Sequence, residues 1–141
     1  MRKNLLALTS ACIAAAVAIP VAASPAAAAP VGASCSITGA KGSGSWEFVN
    51  ANSIKNVNLT VTDTAADGHH VAIRLLTVDR NLVSHNWTLH HLYDGKGTSH
   101  TWTTTATDTR GLKYVYIEVS VMEGSDELAM CNDRSITNPY I

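Results

Sequence analysis

Apolar and polar residues alternate through most of the chain after residue 46, and this alternation predicts β-strands. In 56–62, three apolar residues alternate with asparagine and threonine, so one face of the strand is expected in a core and the other in water. The same period of two recurs in 70–78 and 82–93, and it is clearest in 114–122. Residues 98–107 are dense in threonine, whose branched Cβ favours an extended backbone.

Turn signals separate these segments and set the fold class. Asp-Gly or Asp-Asn clusters stand at 67–68, 79–81, 94–97 and 108–111, and no stretch carries a sustained helical stripe. About seven short strands with turns at this spacing predict one all-β domain, a small antiparallel β-sandwich with an immunoglobulin-like layout. A small closed β-barrel is the alternative.

The segment before this pattern is different in character. Residues 30–45 are small and glycine-rich, and they show little periodicity. We therefore expect a flexible N-terminal segment over 30–45, with a short strand around 35–38, and place the sandwich domain at 46–141.

The first 29 residues have the layout of a secretory signal peptide. Arg2 and Lys3 supply the positive end, 5–21 is an apolar run without charge, and small residues fill 22–29. We expect cleavage near Ala28 or Ala29. The run is short for a spanning helix, so the mature protein is predicted to be secreted and extracellular, without a membrane partner after the signal is removed.

Removal of the signal changes the charge balance of the chain. Eight basic and eleven acidic residues follow Ala29, a net charge of −3 with histidine neutral. Lysine and arginine form no cluster there, whereas nucleic acids and anionic membranes are held mainly by clustered positive charge. The sequence therefore predicts no nucleic-acid partner, and its partner is expected to be an extracellular protein or polysaccharide.

Cysteine usage agrees with export. Cys12 lies in the signal, so the mature chain keeps Cys35 and Cys131. An even count in an exported chain predicts a disulfide, here one that joins the first and last strands. Closing a loop of this length is worth about 4–5 kcal/mol in the chain-entropy view.

Two tryptophans and a histidine are the candidate ligand-binding residues. If 82–93 and 98–107 pair as a hairpin about Asp94–Gly97, Trp87 lies opposite Trp102, and Leu89 lies opposite His100. Trp87, Trp102 and His100 would then form a flat indole platform that stacks on sugar rings. The alternative is that both indoles fill the core, because aromatic cross-strand pairs also stabilise sheets without a ligand.

The remaining chemistry predicts neither a metal site nor catalysis. The six histidines include two adjacent pairs, but neighbours on a strand point to opposite faces, whereas zinc needs three or four converging ligands. No G-x-S-x-G motif is present, and the disulfide leaves no free thiol. We expect no metal, no cofactor and no catalytic residue.

The chain as a whole resembles the small secreted proteins of actinobacteria. The resemblance rests on the alanine-rich signal ending in Pro-Ala-Ala-Ala-Ala-Pro, on residues 105–121 and on the ending Thr-Asn-Pro-Tyr. It implies no activity and carries over no functional residue. Secreted subtilisin inhibitors of these bacteria have four cysteines and their small amylase inhibitors have a Trp-Arg-Tyr turn, and this chain has neither feature.

Three functions follow in order of preference. The first is a secreted non-enzymatic binding module for a protein or a polysaccharide. The second is an extracellular inhibitor or antagonist of a hydrolase that acts through an exposed loop, with 94–97 or 124–127 as the contact. The third is a small secreted enzyme.

Overall fold

A computed structural model describes residues 29–141, so nearly all of the predicted signal peptide lies outside the described residues. The described chain is all-β: ten strands form two antiparallel sheets, and residues 29–141 contain no helix. A helix long and apolar enough to cross a membrane is accordingly not found among them.

The ten strands occupy most of the domain. Their bounds are β1 (Val31–Ile37), β2 (Ala40–Asn50), β3 (Ser53–Asp63), β4 (His70–Val78), β5 (Ser84–Asn86), β6 (His90–Leu92), β7 (Ser99–Thr107), β8 (Tyr114–Glu123), β9 (Asp126–Asn132) and β10 (Ile136–Thr137).

The two sheets form the predicted sandwich with an immunoglobulin-like layout. Sheet A has the order β1-β2-β3-β7. In sheet B, β8 pairs with β4 on one side and with β9 and β10 on the other, while β5 and β6 both pair with β4. The pairs β3–β7 and β4–β8 lie in opposite sheets, as strands B–E and C–F do in immunoglobulin domains, and β9 lies beside β8 as strand G does.

Alternate residues of both sheets fill the space between them. Trp46 on β2 is fully buried, as are Leu59 on β3, Ile73 on β4 and Ile117 on β8. Two glycines of β2 allow the sheets to approach closely, because a Cβ at Gly42 would lie 2.4 Å from Val119 Cγ2.

The disulfide between Cys35 and Cys131 is confirmed. It joins β1, an edge strand of sheet A, to β9, an edge strand of sheet B, and so connects the two sheets along one side of the sandwich. Antibody domains instead place their disulfide between the two sheets in the core. A disulfide is compatible with an oxidising, extracellular compartment.

Two predicted boundaries differ from the structure. Residues 30–45, expected as a flexible segment, form β1 and the first half of β2, where Gly42 and Gly44 are sites at which the two sheets approach closely. The single strand expected over 82–93 is divided into β5 and β6. At the break, the Trp87 amide donates to the Leu75 carbonyl, 3.1 Å away. These changes, with the short β10, raise the strand number from about seven to ten.

Candidate functional site

The outer face of sheet A is a grid of short polar side chains. Alternate residues of its four strands point away from the core, and the strand register aligns them in rows across the sheet. We call this surface the hydroxyl face, and its members are Ser34, Ser36, Ser43, Ser45, Asn58, Thr60, Thr62, Ser99, Thr101 and Thr103.

The hydroxyl face is internally bonded on one half and free on the other. Between β3 and β7, Thr60 Oγ1 lies 2.7 Å from Thr101 Oγ1, and Thr62 Oγ1 lies 2.6 Å from Ser99 Oγ. On β1 and β2, the hydroxyls of four residues form no side-chain hydrogen bond within residues 29–141, and these are Ser34, Ser36, Ser43 and Ser45. Each free hydroxyl retains one donor and two acceptor positions for another molecule.

The free hydroxyls line a shallow trough. It consists of two adjoining depressions of about 530 and 370 Å³, which share Ser34, Ser43 and Thr60. Lys41 lines the larger depression and Asp133 lines the smaller one. The carboxylate of Asp133 accepts a hydrogen bond from the Ser34 amide, so this acid is fixed at the rim.

The trough runs along the strands. Its lining on β2 extends from Lys41 to Ser45, and its lining on β3 extends from Asn58 to Thr62. Five residues of an extended strand span roughly 13 Å from the first Cα to the last. The trough is therefore elongated, and its floor carries polar groups at regular intervals.

The predicted hairpin between 82–93 and 98–107 is wrong. The chain crosses from sheet B to sheet A between β6 and β7, so β7 pairs with β3 and Trp102 lies opposite Leu59. His100 correspondingly lies opposite Val61. The Asp94–Gly97 turn therefore joins the two sheets; Trp102 lies on β7 in sheet A, whereas Trp87 lies between β5 and β6 and bonds to β4 of sheet B.

The three candidate platform residues are at least partly exposed. Trp87 is half-buried and donates from Nε1 to Thr77 Oγ1 at 3.0 Å. Trp102 is also half-buried and contacts two imidazoles: His90 stacks on it at 5.0 Å between ring centroids, and His100 is tilted at 4.4 Å. The structure thus brings His100 and Trp102 together, whereas Trp87 lines a small cavity beside His90, and both indoles pack against the core. Their role as a ligand platform stays a prediction.

The two adjacent histidine pairs do not converge. His90 and His91 point to opposite faces of sheet B, and His70 begins β4 whereas His69 precedes that strand. His90 faces Trp102, whereas His91 Nδ1 lies 3.0 Å from His70 Nε2 on the outer face, beside Tyr93. Burial lowers the pKa of His70, and the positive charge of His91 lowers it further. Within residues 29–141, no three histidine, cysteine or acidic side chains lie close enough to hold a metal ion.

The same outer face carries an ion pair. Arg74 Nη2 lies 2.5 Å from Glu118 Oε1, and the Glu118 side chain is almost fully buried. Burial raises the pKa of Glu118, while the guanidinium of Arg74 opposes that rise. Nearby, Ser120 donates to Glu127 Oε2 at 2.7 Å.

A second charged network fixes the loop between β4 and β5. The buried Asp79 accepts from the amides of Asn81 and Val83, at 2.8 and 3.0 Å, and lies 3.3 Å from His85 Nε2. The bond from the Val83 amide is the largest cause that lowers the pKa of Asp79. Arg110, bound to Asp108, lies 3.7 Å from the same carboxylate. This loop presents Leu82, which is 65% exposed and has a φ of 65°.

Sequence reasoning identified neither the trough nor this loop. The serines at 34, 36, 43 and 45 and the threonines at 60 and 62 show the required alternation. Their convergence depends on pairing between distant strands, which periodicity does not report.

Comparison with known proteins adds no assignment, because no family model, curated protein or solved structure matches this chain.

Proposed function

We propose that the protein is a secreted, non-enzymatic binding module that holds a neutral polysaccharide along the trough. The observation that carries this proposal is the row of free serine hydroxyls on β1 and β2, which lines a depression of about 530 Å³. That volume lies in the range of ligand-binding clefts in proteins, roughly 300–1,000 Å³.

The chemistry of the lining favours a ligand rich in hydroxyl groups. Serine and threonine hydroxyls both donate and accept hydrogen bonds, and sugar hydroxyls do the same, so the two surfaces are complementary in either direction. An apolar ligand would leave these groups without partners, which costs free energy. Lys41 is the one cation and Asp133 the one anion among the lining residues, so the trough has no net preference for a charged ligand.

The shape of the trough favours a chain over a single sugar. Its length of roughly 13 Å exceeds one pyranose ring, and the two depressions continue into each other through their three shared residues. The proposal therefore predicts affinity that rises with oligosaccharide length until the trough is filled.

The test is a binding assay with neutral polysaccharides and their oligomers, by calorimetry for soluble chains and by co-sedimentation for insoluble ones. Ser43→Lys places a long side chain in the middle of the trough and is expected to weaken binding at least about tenfold, or about 1.4 kcal/mol. Ser84→Lys, an exposed position on β5 in sheet B, is the matched control and should bind as wild type does. Equal affinity of Ser43→Lys and wild type, at equal melting temperature, would refute the trough as the site.

The indole platform predicts a different result in the same assay. Trp102→Ala would abolish sugar binding if stacking on this indole carries the affinity, and Ser43→Lys would leave binding intact. Acrylamide quenching of tryptophan fluorescence adds a direct measurement, because a sugar stacked on Trp102 would protect it from the quencher.

A second function, inhibition of an extracellular hydrolase, is supported by the β4–β5 loop; the loops 94–97 and 124–127 expected from the sequence stay a prediction. Inhibitory loops need an exposed side chain on a fixed backbone. Leu82 meets both needs, because Asp79 accepts from the amides on either side of it and the Leu82 amide donates to the Asp79 carbonyl at 3.1 Å.

Secreted proteases and glycosidases assayed with the pure protein test this second function. Leu82→Asn keeps a residue type that tolerates positive φ while it removes the apolar contact. Inhibition by wild type that is lost in Leu82→Asn supports the loop as the contact, and the absence of inhibition across the panel rejects it.

A further inference from the structure

Strand β7 forms an open edge of sheet A. It pairs with β3 on one side only, and seven of its nine residues are exposed. The Thr98 carbonyl accepts from the Asp63 amide, so every second residue from Thr98 onward bonds to β3. The residues between them, beginning with Ser99, Thr101 and Thr103, direct their N–H and C=O groups to the free edge.

The other long edges of the sandwich carry features that block strand addition. On β1, the Ser34 amide is bonded to Asp133 and Cys35 is bonded to β9. β9 contains Asp126 and Glu127 and has a bulge where it pairs with β8. β5, β6 and β10 have only two or three residues each. Charges, bulges and short length are the usual protection of sheet edges.

β7 has none of these protections. It contains no proline and no lysine, arginine, aspartate or glutamate, and six of its nine residues are serine or threonine. Its register with β3 shifts once, but the one extra residue of that bulge lies on β3. A nine-residue strand of high β propensity with open backbone groups is a surface on which a further strand can add.

We propose that β7 pairs antiparallel with β7 of a second copy, about a two-fold axis at Thr103. Each four-stranded sheet A then continues into the other as one eight-stranded sheet with about ten inter-strand hydrogen bonds. This dimer is independent of the polysaccharide-binding proposal, because Thr103 does not line the trough.

The sequence of β7 is self-complementary in this register. Ser99 faces Thr107 of the other copy, and Thr101 faces Thr105, so hydroxyls meet hydroxyls on the outer face. These contacts repeat the Thr60–Thr101 pair already present between β3 and β7. On the opposite side of the strand, Trp102 faces Thr104, so the two indoles do not collide, and no like charges meet. A partner strand with acidic or basic residues would gain no ion pair here, which favours the second copy as the occupant.

The dimer is expected to be weak. Pairing along one edge buries less surface than the roughly 1,600 Å² of a standard protein interface. Association should therefore become measurable by sedimentation velocity only at high protein concentration.

The test compares the wild-type secreted protein with two variants of the central residue. Thr103→Lys places two lysines on the two-fold axis and is expected to raise the dimer dissociation constant at least about tenfold, or about 1.4 kcal/mol. Thr103→Val keeps β propensity without charge and should dimerise as wild type does. Hydrogen exchange at increasing concentration should slow at the β7 amides in wild type and not in Thr103→Lys.

Two results would overturn the proposal. One is a wild-type protein that remains monomeric at every concentration, including the case in which an added extended peptide, and not a second copy, protects the β7 amides. The other is a dimer whose dissociation constant is the same in Thr103→Lys and in wild type.

Discussion

Replacing Gly42 with alanine introduces one methyl group between the two sheets. The backbone of Gly42 does not have the positive φ found at several other glycines of this chain, so alanine meets no backbone strain there. The added Cβ would lie 2.4 Å from Val119 Cγ2 and 3.1 Å from Ile73 Cδ1. The substitution therefore tests the close packing around Gly42, mainly against the opposite sheet and also against the Thr60 carbonyl of β3, 3.2 Å away.

The expected cost follows from these distances. Non-bonded carbon atoms prefer separations of roughly 3.5–4.0 Å, so β2 or β8 must move by about 1 Å. Overpacking of this kind usually costs about 1–3 kcal/mol. For a domain of this size, each kcal/mol corresponds to about 4 °C in melting temperature.

A double-mutant cycle in urea unfolding gives the decisive measurement. Val119→Ala alone removes the atom that Gly42→Ala would contact and leaves a cavity that costs about 1–3 kcal/mol. In the double variant the new methyl group occupies part of this cavity, so the combined loss should fall short of the sum by more than about 1 kcal/mol. Ser43→Ala on the outer face of the same strand is the control, with a change within about 0.5 kcal/mol. Additive losses in the cycle, or a Gly42→Ala variant as stable as wild type, would refute this account.

Three further predictions concern the disulfide, pH and the ion pair of sheet B. Replacing Cys35 and Cys131 with alanine should lower the free energy of unfolding by about 4–5 kcal/mol; a wild-type protein equally stable in reductant would contradict this. Because the folded state holds the pKa of His70 below that of the unfolded chain, about 6.5, stability should be full above pH 6.5 and fall as the pH drops through the folded value. Melting temperature against pH measures this effect; the slope should flatten in His70→Phe, and an unchanged slope would exclude His70 as its origin. Arg74→Met leaves the buried Glu118 carboxylate without its partner and should cost about 3 kcal/mol in urea unfolding; Arg74→Met with Glu118→Leu should recover most of this loss, and an equally unstable double variant would show that the ion pair is not its cause.

Much of the fold follows from local pattern. The period of two in 56–62 and 114–122 predicted strands β3 and β8, because alternate side chains of an extended chain must face opposite sides. The even number of cysteines after the signal predicted the bond between Cys35 and Cys131. Both predictions depend on residue types alone: the first on the alternation of apolar and polar neighbours, and the second on the number of cysteines. The predicted sugar platform of Trp87, Trp102 and His100 also required a particular pairing of strands, and its role in binding stays a prediction.

Tertiary structure decided which strands are neighbours. The turn at Asp94–Gly97 has the composition of a hairpin, yet β7 crosses to sheet A, where Trp102 pairs with Leu59 and contacts His90 and His100. Turn composition fixes the local backbone, but the choice of partner strand depends on how much apolar surface the whole sandwich buries. The glycines of β2 likewise predict flexibility, whereas in the structure Val119 fills the space that a side chain at Gly42 would take.

The hydroxyl face also depends partly on local sequence pattern and partly on tertiary structure. Serines and threonines alternate in the sequence of β1, β2, β3 and β7, but only the tertiary structure shows that 31–45 are strands on which this alternation faces outward. Thr60 and Thr101 are 41 positions apart, and their oxygens come within 2.7 Å only through the register of β3 with β7. Register is set by the packing of the two sheets against each other, so the trough and the open edge of β7 exist only in the assembled sandwich.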